Sequence, residues 1–387
     1  MLYMNKLIIF GTSDVAEIAK YYFDNFTNYK TIAFCVDKTY LNEKNFLKLP
    51  VLDVDEVLNS FKPNEIRIFI ALGYSKLNEV RKSKYEYFKK FGYKFASYIS
   101  PHATILNEFK FEDIPKVAID NSLRSFVDLI GVAASATQTD LSKIIRKHCK
   151  NFYAPNPNQG ISSSIWFDGS NVNVLGATLA NSMTIDSLDA HDGQKLTKGH
   201  VGCGLIPSII ACMEAEENYC SKDFLRNLVI GYEIGTRAGI SLHESSKDYH
   251  TSGAWISIAC AGIVSRILEL NKNQIREAFG IAEFYGPRSQ MMRCIDYPTM
   301  VKDGSGWGAM SGVNAAYLAK EGFSGSPAIT VEDESLSYIW SDLGSKWYTN
   351  EQYLKLYPVC RWAQPALEAC LFLKRKHNIN VNNIESI

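Results

Sequence analysis

From residue 6 to about residue 104 the chain alternates short apolar runs with stretches whose apolar residues recur every three or four positions. KLIIFG precedes DVAEIAKYYFDNF, KTIAFCVD precedes VDEVLNSF, IRIFIALG precedes KLNEVRKSKYEYFKKFG, and KFASYIS closes the series. Apolar runs separated by helices predict parallel strands buried on both faces, a small Rossmann-like α/β unit. Beyond Phe109 the strand pattern fades. IPKVAIDNSLRSFVDLIGVAAS, DLSKIIRKHCKNFY, NVLGATLANSMTIDS and KDFLRNLVIGYEIGTRAGISL carry apolar residues at helical spacing, which predicts a mostly helical unit. Small residues such as Gly176, Gly253, Ala259 and Gly262 allow its helix backbones to approach closely. The stretch GAWISIACAGIVSRIL is broken by Arg266 and falls short of the ~20 residues of a membrane span, so it reads as a buried helix. After QPALEACLFLKRKHN, the ending INVNNIESI places Ile379, Val381, Ile384 and Ile387 like the opening of a strand.

Length and charge narrow the partners. A chain of 387 residues exceeds what one core usually serves, so more than one domain is expected. Forty-one basic and forty-one acidic side chains produce no net field, and neither nucleic acid nor a membrane surface is expected as a partner. Nine cysteines without a CxxC pair read as reduced thiols, and the short apolar run near the N-terminus reads as a strand rather than a signal peptide; both point to the cytoplasm.

Two regions carry candidate chemistry. In the first, the turn FGTSDVAEIAK follows a strand and opens a helix, where backbone N–H groups suit a phosphate. GTSDVA lacks two glycines of the dinucleotide fingerprint, and a plain structural unit is the alternative. Asp37 ends the second strand, where a ribose is often held.

The second region is a set of four polar clusters that interrupt the helices. SLDAHDGQKLTKGHVG brings Asp189, His191, Asp192, Lys195, Lys198 and His200 directly before an apolar helix. SSKDYHTSG brings Lys247, Asp248 and His250; DYPTMVKDGSGWGAMSG brings Lys302 and Asp303; LKLYPVCRWAQPALEA brings Lys355, Cys360 and Arg361. Cations and imidazoles at helix N-termini suit a small polyanion, and solvated connections are the bland alternative. Zinc needs three ligands at recognisable spacing, and His191 with His200 lacks a third, so no metal is expected. No GxSxG string marks a serine nucleophile, and Cys360 suits a packed turn as well as a thiol nucleophile. What remains is proton abstraction next to a carboxylate, with Asp189 or His250 as base and His200, Lys302, Lys355 and Arg361 stabilising the developing charge.

Resemblances extend both readings. LIIFGTSDVAEIAKYYF, FCVDKTYL, PVLDVDEVL, FIALGYSKLNEVR and YISPHATI resemble the N-terminal domain of sugar O-acyltransferases of bacterial glycan biosynthesis. That resemblance implies a nucleotide-sugar contacted by Gly11, Thr12, Ser13, Asp14, Asp37, Gly73 and Tyr74. No hexapeptide repeat follows, so acetyl transfer is not expected. IPKVAIDNSLRSFVDLIGVA, SLDAHDGQKLTKGHVGCGLIPSIIACMEA, NLVIGYEIGTRAGISL, YHTSGAWISIACAGIVSRILEL, QIREAFGIAEF, MVKDGSGWGAMSGVNAAYLAKEGFSG and YPVCRWAQPALEA are together similar to the MmgE/PrpD family. This family includes 2-methylcitrate dehydratases, cis-aconitate decarboxylases and iminodisuccinate epimerases, and its similarity implies a large helical domain, a smaller α/β lid, a homodimer, and no metal or other cofactor. It also implies that Asp189, His200, His250, Lys302 and Lys355 are catalytic and that His191, Asp192, Cys360 and Arg361 contact the substrate. This chain departs from the pattern at His191, Val201 and Gln364, where Asp, Pro and His are common.

The expected organisation is therefore α/β plus mostly α: residues 1–106 a Rossmann-like nucleotide-sugar-binding type, 107–330 an all-helical MmgE/PrpD domain, and 331–387 the start of an α/β lid. The expected activity is that of a lyase of the hydro-lyase type, 2-methylcitrate dehydratase-like, on a small di- or tricarboxylate. Epimerisation or decarboxylation within the same family is the alternative, and a non-catalytic binding or assembly module linked to nucleotide-sugar or glycan metabolism is the rival of a different class. Because the resembling family continues past this ending, a truncated or recombined chain is expected, weakly active and prone to aggregate unless a second polypeptide supplies the rest, with the helix at 253–268 partly uncovered.

Overall fold

Successive residues of a strand point to opposite faces, and the first strand, β1 (Asn5–Phe10), shows what that demands here. Leu7 and Ile9 enter one buried cluster, Ile8 and Phe10 another, so an apolar run without alternation is what a sheet covered on both sides needs. The computed structural model describes residues 5–72, 79–98, 110–155, 162–217, 220–380, 382 and 384, and the chain divides into two units, Met1–Ala103 and Thr104–Ile387.

In the first unit β1 is followed by α1 (Asp14–Phe26), β2 (Tyr29–Val36), β3 (Asn45–Phe46), β4 (Leu49–Asp53), α2 (Val54–Ser60), β5 (Ile66–Ile70), α3 (Glu79–Lys90) and β6 (Lys94–Phe95). The sheet order is β3-β4-β2-β1-β5-β6, parallel throughout except for the β3 edge. Ala16, Ala19 and Phe23 of α1 cover one face; Val57 of α2 and Phe88 of α3 cover the other. A capping box on Asp53 starts α2, its carboxylate accepting from Glu56 N at 2.8 Å while Glu56 accepts from Asp53 N at 3.0 Å.

The second unit comprises α4 (Lys116–Ala136), α5 (Asp140–Phe152), β7 (Ser163–Ser164), β8 (Asn171–Val172), α6 (Val174–Asp186), β9 (Gly193–Gln194), α7 (Gly202–Ala215), α8 (Ser221–Ser245), α9 (Gly253–Ile267), α10 (Lys272–Tyr285), α11 (Met292–Asp296), α12 (Ser305–Lys320), α13 (Ile329–Glu332), α14 (Ser337–Trp340), β10 (Gln352–Tyr353) and α15 (Gln364–His377). Helix α9 lies at its centre, packed by α7, α8, α10 and α12 and buried at every residue from Gly253 to Ser265. The expectation of a partly uncovered helix is corrected by this packing, which this chain supplies from its own helices. Glycines make the approach possible: a Cβ on Gly308 would lie 2.2 Å from Gly253 O, and one on Gly312 2.2 Å from Ser257 O.

Residues 331–387, expected to open a lid sheet, are tied in their described part to the helical unit. Their strand β10 pairs antiparallel with β9 of the helical unit, Gln352 opposite Gln194 and Tyr353 opposite Gly193. The buried Arg237 of α8 anchors this segment, bonding Ile339 O, Asp342 and, at 2.9 Å, Lys346 O. Glu233, one turn earlier, accepts from Thr349 N at 2.8 Å and Thr349 Oγ1 at 2.7 Å. No strand includes Ile379 or Ile384; Val381 and Ile387 lie outside the described residues, as do Gly73 and Tyr74. No described helix is long and apolar enough to cross a membrane.

Candidate active site

The loop between α6 and α7 is short of regular structure because its residues spend their hydrogen bonds on side chains and turns. Asp189 turns back through its N–H to Asp186 O at 3.1 Å and adopts φ 51°, left-handed backbone that Asp tolerates better than most. Lys302, before α12, is left-handed as well at φ 49°. Two such positions in one site mark conformations that the surroundings must hold in place.

Lysines hold Asp189. Lys355, whose side chain is fully buried, donates to Asp189 O at 2.8 Å and pairs with its carboxylate Oδ1, while Lys302 Nζ stands 3.7 Å from Oδ2. Burial pushes the Asp189 carboxyl up, but His191, Lys355, His200 and Lys302 together outweigh it and bring it down to about 2. Asp189 is therefore a carboxylate at neutral pH. Burial pulls the Lys302 ammonium down, and Asp189, Asp186 and Asp303 more than restore it.

His200 follows from the same loop. Its N–H donates to Ser252 Oγ at 3.1 Å and its carbonyl accepts from Trp255 Nε1 at 2.7 Å, which ties it to the start of α9. The ring faces an acceptor on each side: Nδ1 lies 2.6 Å from Asp192 O, and Nε2 3.1 Å from Asp303 Oδ2. Two acceptors select the doubly protonated ring. Burial lowers its proton affinity, but the bond to Asp303 raises it further, so the net shift is upward, and Asp303 is lowered in turn by His200. His191 stacks edge-on to it with ring centroids 4.0 Å apart, fully buried, with Nε2 3.0 Å from Asp186 Oδ1. Burial, and then the charge of His200, lower the proton affinity of His191.

Asp189, His200 and Asp303 line a cavity of about 520 Å³ together with Tyr249, Tyr353 and Trp362. Lys195, Lys198, Cys360 and Arg361 line it too. Arg361 lies over the Tyr353 ring at 5.4 Å and Lys198 over Tyr249 at 5.9 Å, and neither they nor Lys195 have a carboxylate partner among the described residues.

Five expected site residues do not line the cavity: Lys302 and Lys355 meet it only through Asp189, and His191, Asp192 and His250 sit elsewhere. His191 and Asp192 are fully buried and line no part of the cavity; Asp192 Oδ2 instead accepts from Tyr232 OH at 2.5 Å, so direct substrate contact by either is replaced by a supporting place behind the site. His250 is buried, its Nδ1 lies 2.8 Å from Asp248 O of its own loop, and its neighbour Tyr249 is the cavity residue. Sequence reasoning passed over Tyr249, Tyr353 and Trp362 and gave Asp303 a place in a polar cluster without a role, although Tyr249 stands beside His250 and Asp303 beside Lys302.

Asp189, His191 and His200 are the one set among the described residues with ligand atoms close enough for a metal, within 4.8 Å of one another. The fit is poor. Both oxygens of Asp189 face lysine ammonium groups, His191 Nε2 faces Asp186, and both His200 nitrogens face acceptors, so a dication would have to compete with two ammonium groups for Asp189 and with acceptors for the rings. The donor set suits an anion.

Ionised Asp189 also stabilises the fold. Its folded value lies below the ordinary 3.8, so the contribution is present in full above about pH 4 and is lost as pH falls through about 2. It amounts to about 2 kcal/mol. Denaturant titrations of Asp189→Asn are expected to show a deficit of that order at neutral pH that narrows on acidification towards pH ~2.

Comparison with known proteins places the chain in a family. Residues 6–88 match the family model of the PglD N-terminal domain. The cis-aconitate decarboxylase-like protein oryM of Aspergillus oryzae is 25% identical over 230 residues, 57% of this chain and 46% of that protein, so the chain spans about half the length of the curated relative it matches. Residues 102–344, most of the chain and all the loops bearing Asp189, His200 and Lys302, match the model of the MmgE/PrpD N-terminal domain. The chain belongs to the MmgE/PrpD family.

Proposed function

We propose that the helical unit is a lyase that removes a proton next to a carboxylate of a small di- or tricarboxylate, 2-methylcitrate dehydratase-like in its reaction. The observation that carries this reading is the convergence at one cavity of an ionised Asp189 between two lysines, an imidazolium at His200, and the unpaired Lys195, Lys198 and Arg361. Carboxylates of the substrate take up the free cations and Lys302. Their negative charge offsets the field that holds Asp189 ionised, and exclusion of water adds to the effect, so Asp189 gains proton affinity when the site is filled. It then takes the proton, while Lys302 and His200 stabilise the enediolate-like charge. His200 Nε2, already protonated against Asp303, supplies the proton to a departing hydroxyl.

The relative's name favours a second reading, decarboxylation. There the C–C bond to one carboxylate breaks with release of CO2, its electron pair stays on carbon, the same cations hold the remaining carboxylates, and His200 delivers the proton to that carbon. A homodimer is part of either reading.

For the first unit we read a Rossmann-like nucleotide-sugar site at Gly11, Thr12, Ser13 and Asp14. Support comes from Gly11, at φ 121°, where a Cβ would lie 2.6 Å from Ala71 O, so the strand-to-helix turn needs glycine to pass this close. Asp37 is paired with Lys84 at 2.5 Å, leaving a polar end to β2. Calorimetric titration with uridine nucleotide-sugars is expected to give saturable heat; none at millimolar concentration would remove the reading.

For the helical unit the test is stabilisation by propane-1,2,3-tricarboxylate, which binds carboxylate subsites but has no hydroxyl to lose. A rise in Tm that grows with concentration and disappears in Lys302→Ala is expected, and no rise in the wild type would count against a polycarboxylate site.

A further inference from the structure

We propose that Tyr232 is a positioning residue for His200, acting through Asp192. Tyr232 lies in the middle of α8, fully buried, where a phenylalanine would pack equally well and a hydroxyl without a partner would be costly. The hydroxyl is used: it donates to Asp192 Oδ2 at 2.5 Å. Asp192 is itself fully buried, and its main-chain carbonyl is the group that accepts from His200 Nδ1 at 2.6 Å. The anchor on α8 thus fixes the residue whose carbonyl selects the protonation pattern and orientation of the ring, while the opposite nitrogen is left to Asp303.

A second observation shows that the chain makes room for this contact. Gly202 opens α7 two residues after His200, and a Cβ there would lie 2.3 Å from Tyr232 OH and 2.6 Å from Asp192 Oδ2. Any other residue at 202 would separate the phenol from the carboxylate. The glycine of the GHVG string is therefore explained by the Tyr232 to Asp192 bond. His191 belongs to the same arrangement, since its Nδ1 stands 3.4 Å from the same Asp192 carbonyl. One carbonyl oxygen, held by one side-chain anchor, orders both imidazoles.

The inference depends on the proposed lyase reading only for its effect on turnover, so it is tested first without a substrate. The protein, with its seven histidines labelled with ¹⁵N, is observed by NMR, and the His200 resonances are assigned by their loss in His200→Gln. In the wild type the Nδ1 proton of His200 is expected far downfield, as a short bond to a carbonyl requires. Tyr232→Phe removes only the hydroxyl and should move that signal upfield or broaden it away; Asp192→Asn, which keeps an acceptor for Tyr232 and the main-chain carbonyl, should retain it. With a substrate in hand, Tyr232→Phe should lower kcat roughly tenfold with KM nearly unchanged. A folded Tyr232→Phe with an unaltered His200 signal overturns the proposal, and so does an Asp192→Asn that loses the signal as fully as Tyr232→Phe. If Tyr232→Phe fails to fold, Asp192→Ala against Asp192→Asn makes the same comparison from the other end of the bond, and equal signals in the two overturn it. Binding of propane-1,2,3-tricarboxylate is a separate readout, so loss of the polycarboxylate reading leaves this result standing.

Discussion

Replacing His200 or Lys302 with alanine is expected to reduce turnover by about 10² to 10⁴ while circular dichroism stays that of the wild type. Both side chains sit in loops at the rim of the helical core rather than inside it, and each faces Asp189 or Asp303. His200→Ala removes the proton donor and leaves Asp303 as an unpaired carboxylate where the substrate's own charge must sit. Lys302→Ala removes the cation best placed to move from Asp189 to an incoming carboxylate, because Lys355 is fully buried and bonded to Asp189 twice. His250→Ala provides the contrast: among the described residues its ring is paired with neither Asp189 nor Asp303 and is held by Asp248 O of its own loop, so its effect should be far smaller. Equal losses from His250→Ala and His200→Ala would place the reacting groups elsewhere.

Gly312→Val is expected to give the largest loss of stability. The added Cβ falls 2.2 Å from Ser257 O and 3.0 Å from Ala261 N, backbone atoms of the central α9 that cannot swing aside as a flexible side chain would. Separating α9 from α12 also opens the contacts each makes with α7 and α10. The expected cost is at least about 3 kcal/mol, read as a lower denaturant midpoint with an unchanged m-value. Gly131→Ala is the control. A Cβ at Gly131 of α4 meets nothing within 4 Å, so the gain in helix propensity should leave stability the same or raise it by ~0.5–1 kcal/mol.

Much of this fold can be read from local patterns. The run KLIIFG is apolar on both faces because helices cover both faces, and the small residues of α9 and α12 announce backbones in near contact. The covering of α9 was not legible, because a buried helix and one awaiting a partner carry the same all-round apolar pattern. Among site residues, Asp189, His200, Lys302 and Lys355 stand out as titratable groups crowded before helices. Which of their neighbours reach the cavity depends on turns no periodicity encodes: Tyr249 lines it and His250 does not, one residue apart. Tyr232 is hidden for the opposite reason. It lies in a helix pattern where every neighbour is core, and its hydroxyl acquires meaning only when α8 meets the loop before α7.

Solvent exchange at carbon tests the central claim most directly. The protein is incubated in D₂O with a panel of di- and tricarboxylates, including 2-methylcitrate and cis-aconitate, and the C–H signals next to each carboxylate are followed by NMR beside a sample of Asp189→Asn. The account predicts that at least one of these compounds exchanges or is converted in the presence of the wild-type protein, and that the change falls to the blank rate in Asp189→Asn. No change with any of the compounds, or the same change with Asp189→Asn, would contradict it and favour a binding module over an enzyme.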